Sequence, residues 1–272
     1  MESTLNKRQK ILIMVSISTK SFFELHAHDY ERDPAVYITL AEEIRKRFVS
    51  KNDLSILDVG CGKGNFIKAL ICEGVDAHYF GTDLSYNMID LSRTYVTERN
   101  VEFLIADGLR LPFEPSLKFD VIHVDSVFHH LTGSNRTKSN ALVIEMTKAL
   151  LSRLSPKGIL IIEELYYDSY LIPTLTSFLI FYTLKILNFM KIDLRRIIRQ
   201  MTPGLEVNFF CENQIFSILK EYGSVRRFSR FPYDIPRHYK LSLLKNVGYI
   251  TFLVENHGER ISTIGTDYYR DS

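Results

Sequence analysis

The most constraining feature of this 272-residue sequence is a short apolar run that ends in three alternating glycines. Ile56–Val59 reads ILDV and leads into Gly60, Gly62 and Gly64, after which Asn65–Cys72 has a helical pattern. Glycines at these places allow a sharp turn and let the backbone approach a ligand with no Cβ in the way. A strand, a glycine loop and a helix in this order predict a ligand site at the carboxyl end of a parallel strand.

A carboxylate follows at the end of the next predicted strand, which covers Ala77–Thr82 and leads to Asp83. An ionised carboxylate accepts hydrogen bonds on both oxygens, so it suits the two hydroxyls of a ribose. The glycine spacing is GxGxG, because Asn65 stands where a dinucleotide-binding loop has its third glycine. Asp58, inside an apolar strand end, needs a partner, and we expect it to orient the loop backbone or to face a ligand ammonium group, which NAD lacks. The pattern predicts an adenosine-type cofactor.

Strand and helix patterns alternate through the middle of the chain, which predicts a parallel sheet with helices on both faces. The predicted helices cover residues 87–98, 137–154 and 212–222, after a first one that begins at Asp33-Pro34. The later predicted strands cover residues 101–105, 119–124, 159–162, 224–231 and 248–255, with a turn at 156–158. Residues 169–184 form an uncharged apolar stretch, interpreted as a buried or lid helix because a membrane span needs about 20 residues.

Composition excludes several classes of protein. Lys and Arg number 34 against 32 Asp and Glu, so the net charge of +2 gives no whole-molecule attraction for a polyanion. The three cysteines, Cys61, Cys72 and Cys211, have no CxxC spacing. They predict reduced thiols in a cytoplasmic protein, and we expect no metal site.

Five segments, in order, resemble the motifs of the class I S-adenosylmethionine-dependent methyltransferases, in particular the small-molecule, type 11/25-like branch. They are LDVGCGKGNF (57–66), GTDLSYNMI (81–89), FLIADGLRLPF (103–113), FDVIHVDSVFHHL (119–131) and LSPKGILIIEE (154–164). The resemblance implies an α/β, Rossmann-like, doubly wound and mostly parallel seven-stranded sheet. It also implies an antiparallel C-terminal strand and a helical cap insertion.

The resemblance implies S-adenosylmethionine as the cofactor and a set of residues that bind it. Asp58 would contact the methionyl ammonium, Asp83 the ribose, and Asp107 the edge of the adenine. The full set is Tyr30, Asp58, Gly60, Cys61, Gly62, Gly64, Asp83, Leu84, Asp107, Gly108 and Asp125.

Methyl transfer is an in-line displacement, so the protein mainly aligns the two reactants and excludes water. Many acceptors also need a proton removed, and the end of the fourth strand offers His130 as the first catalytic candidate and His129 as the second. Capping or loop packing by the two histidines stays open as an alternative. Of Glu163 and Glu164, only one can face the site, because adjacent strand residues point to opposite faces. His123 is interpreted as a structural histidine.

The apolar insertion 165–210 favours a small-molecule acceptor that is hydrophobic or lipid-like. With Arg195, Arg196 and Arg199 beside it, the stretch 169–199 is a candidate for peripheral membrane contact, and equally for a homodimer interface. The basic strip Arg226–Lys240 keeps an RNA methyltransferase as an alternative, although the motifs of base-modifying enzymes are missing and nucleic acid is disfavoured. An NAD(P)-dependent oxidoreductase and a non-catalytic cofactor-binding scaffold also stay open as hypotheses.

The predicted organisation has five parts. They are an N-terminal extension (1–29), the cofactor-binding core (30–165), a helical cap insertion that receives the acceptor (166–222), C-terminal strands that complete the sheet (223–256) and a polar tail (257–272).

Overall fold

The computed structural model describes residues 20–21, 23–24, 34–190, 205–234 and 243–256, and its strands all belong to one sheet. The strands are β1 (Leu54–Val59), β2 (Ala77–Asp83), β3 (Val101–Ile105), β4 (Phe119–Asp125), β5 (Leu154–Ser169), β6 (Gly223–Pro232) and β7 (Leu244–Asn256). The helices are α1 (Ile38–Arg47), α2 (Asn65–Cys72), α3 (Tyr86–Tyr95), α4 (Arg136–Leu151), α5 (Leu175–Phe189) and α6 (Glu212–Lys220). Short 3-10 turns cover Pro34–Tyr37 and Phe128–His130.

The strand order is β3-β2-β1-β4-β5-β7-β6. The first five strands run parallel to one another, and β7 runs antiparallel to both β5 and β6. This confirms the predicted fold, a mostly parallel seven-stranded Rossmann-like sheet with an antiparallel C-terminal strand. The order reverses between β1 and β4, and such a switch point is where parallel sheets bind ligands.

Both faces of the sheet are covered, which explains why its central strands read as continuous apolar runs. Ile56 faces the side packed by α1 and α2, while the next residue, Leu57, faces the side packed by α4 and α6. Both side chains are fully buried. Because side chains alternate along a strand, two successive residues at the carboxyl end of each central strand lie on opposite faces of the sheet.

The fifth strand differs most from the sequence prediction, since it extends to Ser169 and pairs with β7 from Ile159 to Ser169. The predicted turn at 156–158 lies inside its irregular start, where the register with β4 shifts between Phe119 and Val121. The predicted boundary between residues 165 and 166 therefore falls within a strand. The apolar helix begins at Leu175, after Pro173, rather than at Ser169.

Several sequence predictions fall outside the described residues. They are most of the extension 1–29, Tyr30, the arginines Arg195, Arg196 and Arg199, and the tail 257–272. The division into five parts stays a prediction. Within the ranges that the structure does describe, no helix combines the length and apolarity that crossing a bilayer needs.

Candidate active site

A cavity of about 1000 Å³ lies at the carboxyl ends of the strands and gathers most of the residues predicted to bind the cofactor. Gly64 is not among its lining residues, because it caps the start of α2 and packs near Phe103 and Val96. The predicted residues that do line it are Asp58, Gly60, Cys61, Gly62, Asp83, Leu84, Asp107, Gly108, Asp125, His129 and His130.

The glycine loop is fixed to β2 and open toward the cavity. The backbone N–H groups of Gly60 and Cys61 both donate to the carbonyl of Thr82, at 2.7 and 2.9 Å. Gly60 has φ +74°, and a Cβ there would lie 2.4 Å from Cγ2 of Val127. Gly62 has φ +51°, and a Cβ there would meet no atom within 4 Å. Gly60 is therefore required by packing, whereas Gly62 leaves room beside the backbone for a ligand.

Asp83 ends β2 at the centre of the loop region. Its Oδ2 accepts a hydrogen bond from the Gly62 N–H at 3.0 Å, and its Oδ1 accepts one from the Ser85 N–H at 2.9 Å. Burial raises the pKa of Asp83 to about 6, although these two backbone hydrogen bonds lower it. The carboxylate is thus ionised at neutral pH and lies in a largely dry place, where each hydrogen bond it accepts gains strength.

Asp107 lies just after the end of β3, the strand next to β2 at the edge of the sheet. Its Oδ1 accepts from the Leu109 N–H at 3.0 Å, and the preceding Ala106 N–H donates to the Asp83 carbonyl at 2.9 Å. The half of the cavity along β1, β2 and β3 therefore carries three carboxylates, from Asp58, Asp83 and Asp107. This half is called the donor half below.

Asp58 has a protein partner that the sequence prediction did not foresee. Its Oδ1 lies 2.8 Å from Nδ1 of His123, and both residues are buried. Burial alone would lower the pKa of His123, but the charges of Asp58 and Glu163 outweigh it and raise the pKa to about 9. Burial also raises the pKa of Asp58, against the effect of His123. His123, interpreted from sequence as structural, thus lines the cavity as a cation.

The two candidate catalytic histidines have different surroundings. Nδ1 of His129 lies 2.5 Å from Oε1 of Glu164, whose Oε2 also accepts the His129 backbone N–H at 3.1 Å. Nδ1 of His130 is buried and has no hydrogen-bond partner within the described residues. Burial, together with the neighbouring His129, holds the pKa of His130 well below its usual value. His129 therefore joins the loop to β5, and His130 is the neutral imidazole on the cavity wall.

The two adjacent glutamates of β5 point to opposite faces of the sheet, as successive residues of a strand do. Glu163 lines the cavity and accepts a hydrogen bond from Thr251 at 3.0 Å, whereas Glu164 is fully buried against His129. The cavity wall continues along β5, β7 and β6 with Leu165, Tyr249, Thr251, Phe231 and Tyr233. This wall, with Glu163, is called the acceptor half below.

Sequence reasoning missed Tyr37, which is almost fully buried at the cavity. Its hydroxyl donates to Oδ2 of Asp125 at 2.7 Å, and Ser126, with φ +57°, donates to the other oxygen at 2.8 Å. The aromatic residues of β6 and β7 were also missed, because only the strand order brings these late segments to the cavity. Phe23 closes the cavity from another side, with its ring 5.1 Å from that of His130.

Among the described residues, Lys and Arg are scarce around the cavity. Lys63, in the glycine loop, is the one Lys or Arg among the described residues that line it. The described arginines of the basic strip do not line the cavity and are paired with acids. Arg226 contacts Glu43 at 2.5 Å, and Arg227 and Arg230 contact Glu212 at 2.8 and 3.0 Å.

Comparisons of sequence agree with this geometry. Residues 56–150 match the family described as "Methyltransferase domain". The chain is 29% identical to the ubiquinone biosynthesis O-methyltransferase of Rickettsia bellii over 126 residues, which cover 46% of this chain and 48% of that protein. It is 31% identical to the malonyl-[acyl-carrier protein] O-methyltransferase of Acetivibrio thermocellus over 119 residues, which cover 44% of this chain and 41% of that protein. The match spans less than half the length of each relative.

Solved structures share the fold. The magnesium protoporphyrin IX methyltransferase of Synechocystis PCC 6803, with bound S-adenosylhomocysteine (SAH), gives a TM-score of 0.51 at 14% identity, covering 89% of this chain and 100% of that one. The PH0226 protein of Pyrococcus horikoshii gives a TM-score of 0.51 at 20% identity, covering 82% and 90%.

Proposed function

Through residues 56–150, the chain belongs to the class I S-adenosylmethionine-dependent methyltransferases, and on that premise we propose that it transfers a methyl group to a small-molecule acceptor. The observation that carries the proposal is the convergence of an open glycine loop and three carboxylates on one half of a single cavity. A dinucleotide reductase and a non-catalytic scaffold are not favoured by any of these features.

The residues of the donor half suit S-adenosylmethionine in each of its parts. Asp83 is an ionised acceptor beside the loop, as two ribose hydroxyls require. Gly62 has space where a side chain would stand. Asp107 and Leu84 lie next along the cavity, where the family holds the adenine. Asp58 offers a carboxylate to an ammonium group, with one of its oxygens already bonded to His123.

The bound cofactor would supply a methyl group on a positively charged sulfur, which needs no further activation. The protein's own contribution is alignment, exclusion of water and removal of a proton from the acceptor. We assign the last step to His130, because its imidazole is neutral and its Nδ1 has no partner in the described structure. His129 is a weaker candidate, since its Nδ1 is already bonded to Glu164.

The acceptor half favours a neutral molecule with an apolar or aromatic body and a reactive hydroxyl. Its wall is formed by Leu165, Phe231, Tyr233 and Tyr249, and its charged side chain is the carboxylate of Glu163. A carboxylate acceptor would meet the carboxylate of Glu163, and the cation beside it, His123, already lies between Glu163 and Asp58. The name of one relative, a ubiquinone biosynthesis O-methyltransferase, supports an acceptor of this class.

A labelled-methyl assay tests the proposal. The protein is incubated with methyl-labelled S-adenosylmethionine and either organic-solvent extract or total RNA from the same cells, and the labelled products are identified. We expect label in neutral, solvent-soluble products that are stable to mild alkali, as methyl ethers are. Label confined to RNA, or to methyl esters that alkali cleaves, would contradict the assigned acceptor class. Asp83→Ala is the control and should give little label in any fraction.

The catalytic histidine needs its own comparison, once a labelled product is known. His130→Gln should lower turnover with that acceptor at every pH from 6.5 to 9, because the pKa of the wild-type imidazole lies below this range. SAH binding should not change. Equal turnover of wild type and variant would show that His130 only packs the loop.

A further inference from the structure

A row of polar side chains crosses the sheet at the edge of the cavity. Asp58 on β1 and His123 on β4 face each other in register, and Glu163 on β5 does the same with Thr251 on β7. His123 joins the two pairs, because its Nδ1 lies 2.8 Å from Asp58 and its Nε2 lies 3.7 Å from Glu163. Thr251 in turn accepts a hydrogen bond from Ser229 at 2.8 Å.

This row interrupts an otherwise apolar face. Two residues earlier on the parallel strands, the same face carries Ile56, Val121 and Ile161, all fully buried. The ring of Phe66 stacks on His123 with centroids 3.7 Å apart, and Tyr37 packs edge-on against it at 5.6 Å. Burying an ion pair costs free energy that apolar side chains would not cost. Stability therefore does not explain why these polar side chains are present in the core, whereas a role in the site does.

The charges around His123 come from all the strands beside it. Asp58 on β1 and Glu163 on β5 flank its two nitrogens, and Asp125 lies two residues further along β4. From the helical layer, Tyr37 contributes a phenol, which is bonded to Asp125. One histidinium thus lies among three carboxylates, and Nε2 has no hydrogen-bond partner in the described structure.

His123 also lies where the two halves of the cavity meet. Asp58 belongs to the donor half, on β1 to β3, and Glu163 to the acceptor half, on β5 to β6. We infer that His123 is a positioning residue that couples the two halves, holding Asp58 on one side and balancing Glu163 on the other. The inference rests on the proposed function, because it takes an amino-acid ammonium group as the ligand of Asp58.

The coupling follows from electrostatics. A ligand ammonium beside Asp58 repels the His123 cation and competes with it for the same carboxylate, so His123 releases its ring proton to solvent at a lower pH. The neutral ring still donates to Asp58 from Nδ1, but it no longer balances Glu163. Glu163 then attracts a hydrogen-bond donor more strongly. The acceptor half therefore binds a hydroxyl-bearing acceptor more tightly once the cofactor occupies the donor half.

Calorimetry of SAH binding tests this coupling. At pH 8, titrations in two buffers of different ionisation enthalpy give the number of protons released on binding. Wild type should release on the order of half a proton more per SAH than His123→Asn, whose side-chain amide can keep an N–H near Asp58 but has no titrating ring. Adenosine has no amino-acid part, so it should give no such difference. His78→Asn, which changes an exposed histidine paired with Asp53, is the matched control and should behave as wild type.

Nitrogen NMR of the imidazole in wild-type protein gives a second readout, which does not depend on a folded variant. Saturating SAH should lower the pKa of His123 by about one unit, and adenosine should leave it unchanged. Glu163→Gln should lower the same pKa before any ligand is added. Failure of wild type to bind SAH would overturn the proposed function and this inference together. Binding with equal proton release in wild type and His123→Asn, or an unchanged His123 pKa, would overturn the inference alone.

Discussion

Among single residues, Asp83 gives the clearest pH signature. Its pKa of about 6 means that it is protonated below that pH and can then accept on fewer sites. We expect SAH affinity to fall as the pH drops from 7.5 to 5, and Asp83→Asn to bind about 10- to 100-fold more weakly at pH 7.5, through the loss of charge-assisted hydrogen bonds.

Calorimetric titrations across this pH range measure both effects. The variant should lose the part of the pH dependence that belongs to Asp83. If Asp83→Asn binds as tightly as wild type at pH 7.5, with the same pH profile, the carboxylate has no role in the site.

We expect substitution of two glycines of the loop to have different effects, one mainly on stability and the other mainly on binding. Gly60→Ala should lower the free energy of unfolding by about 2–4 kcal/mol, because a Cβ would overlap Val127 in a left-handed backbone. Gly62→Ala should cost only about 1 kcal/mol, since its Cβ meets open space, yet it should weaken SAH binding.

Urea denaturation and calorimetry measure the two effects separately. Val127→Ala should restore part of the stability of Gly60→Ala by removing the overlapping methyl group. Equal stability losses at the two glycines would contradict the assigned packing.

At the level of elements, the contact between the 3-10 turn at Phe128–His130 and β5 depends on Glu164. The carboxylate is fully buried and accepts both the ring and the backbone N–H of His129. Glu164→Leu would leave these donors without a partner, so we expect a loss of about 3 kcal/mol in unfolding free energy by urea denaturation. Glu102→Leu, at an exposed position on β3, should change it by less than about 0.5 kcal/mol. Equal effects would show that the turn does not depend on this pair.

The elements also show how far sequence reasoning reaches. Apolar runs and the positions of the glycines suffice to predict the buried parts of β1, β4 and β5. The motif order suffices to predict many of the residues that line the cavity. The continuation of β5 to Ser169 could not be predicted, because Glu163 and Glu164 read as a polar strand end. Their partners, Thr251 and His129, come from other parts of the chain. The acceptor wall was missed for the same reason, since β6 and β7 reach the cavity only through the strand order.

On the scale of the whole molecule, the near-zero net charge agrees with the pairing of the described arginines. Arg226, Arg227 and Arg230 each contact an acid, so the described part of the strip offers little free positive charge. We expect weak RNA retention in filter binding, with a shallow dependence of log affinity on log salt, of slope magnitude about 1–2. A slope that corresponds to the release of several ions would instead support an RNA substrate.

The central claim is that the cavity binds S-adenosylmethionine rather than a nicotinamide dinucleotide. Its most direct test is calorimetric titration of the wild-type protein at pH 7.5 with SAH and, separately, with NADH. The account predicts saturable binding of one SAH per chain, strongly weakened in Asp83→Ala, and no binding of NADH. Binding of NADH without SAH, or SAH binding that Asp83→Ala leaves unchanged, would contradict it.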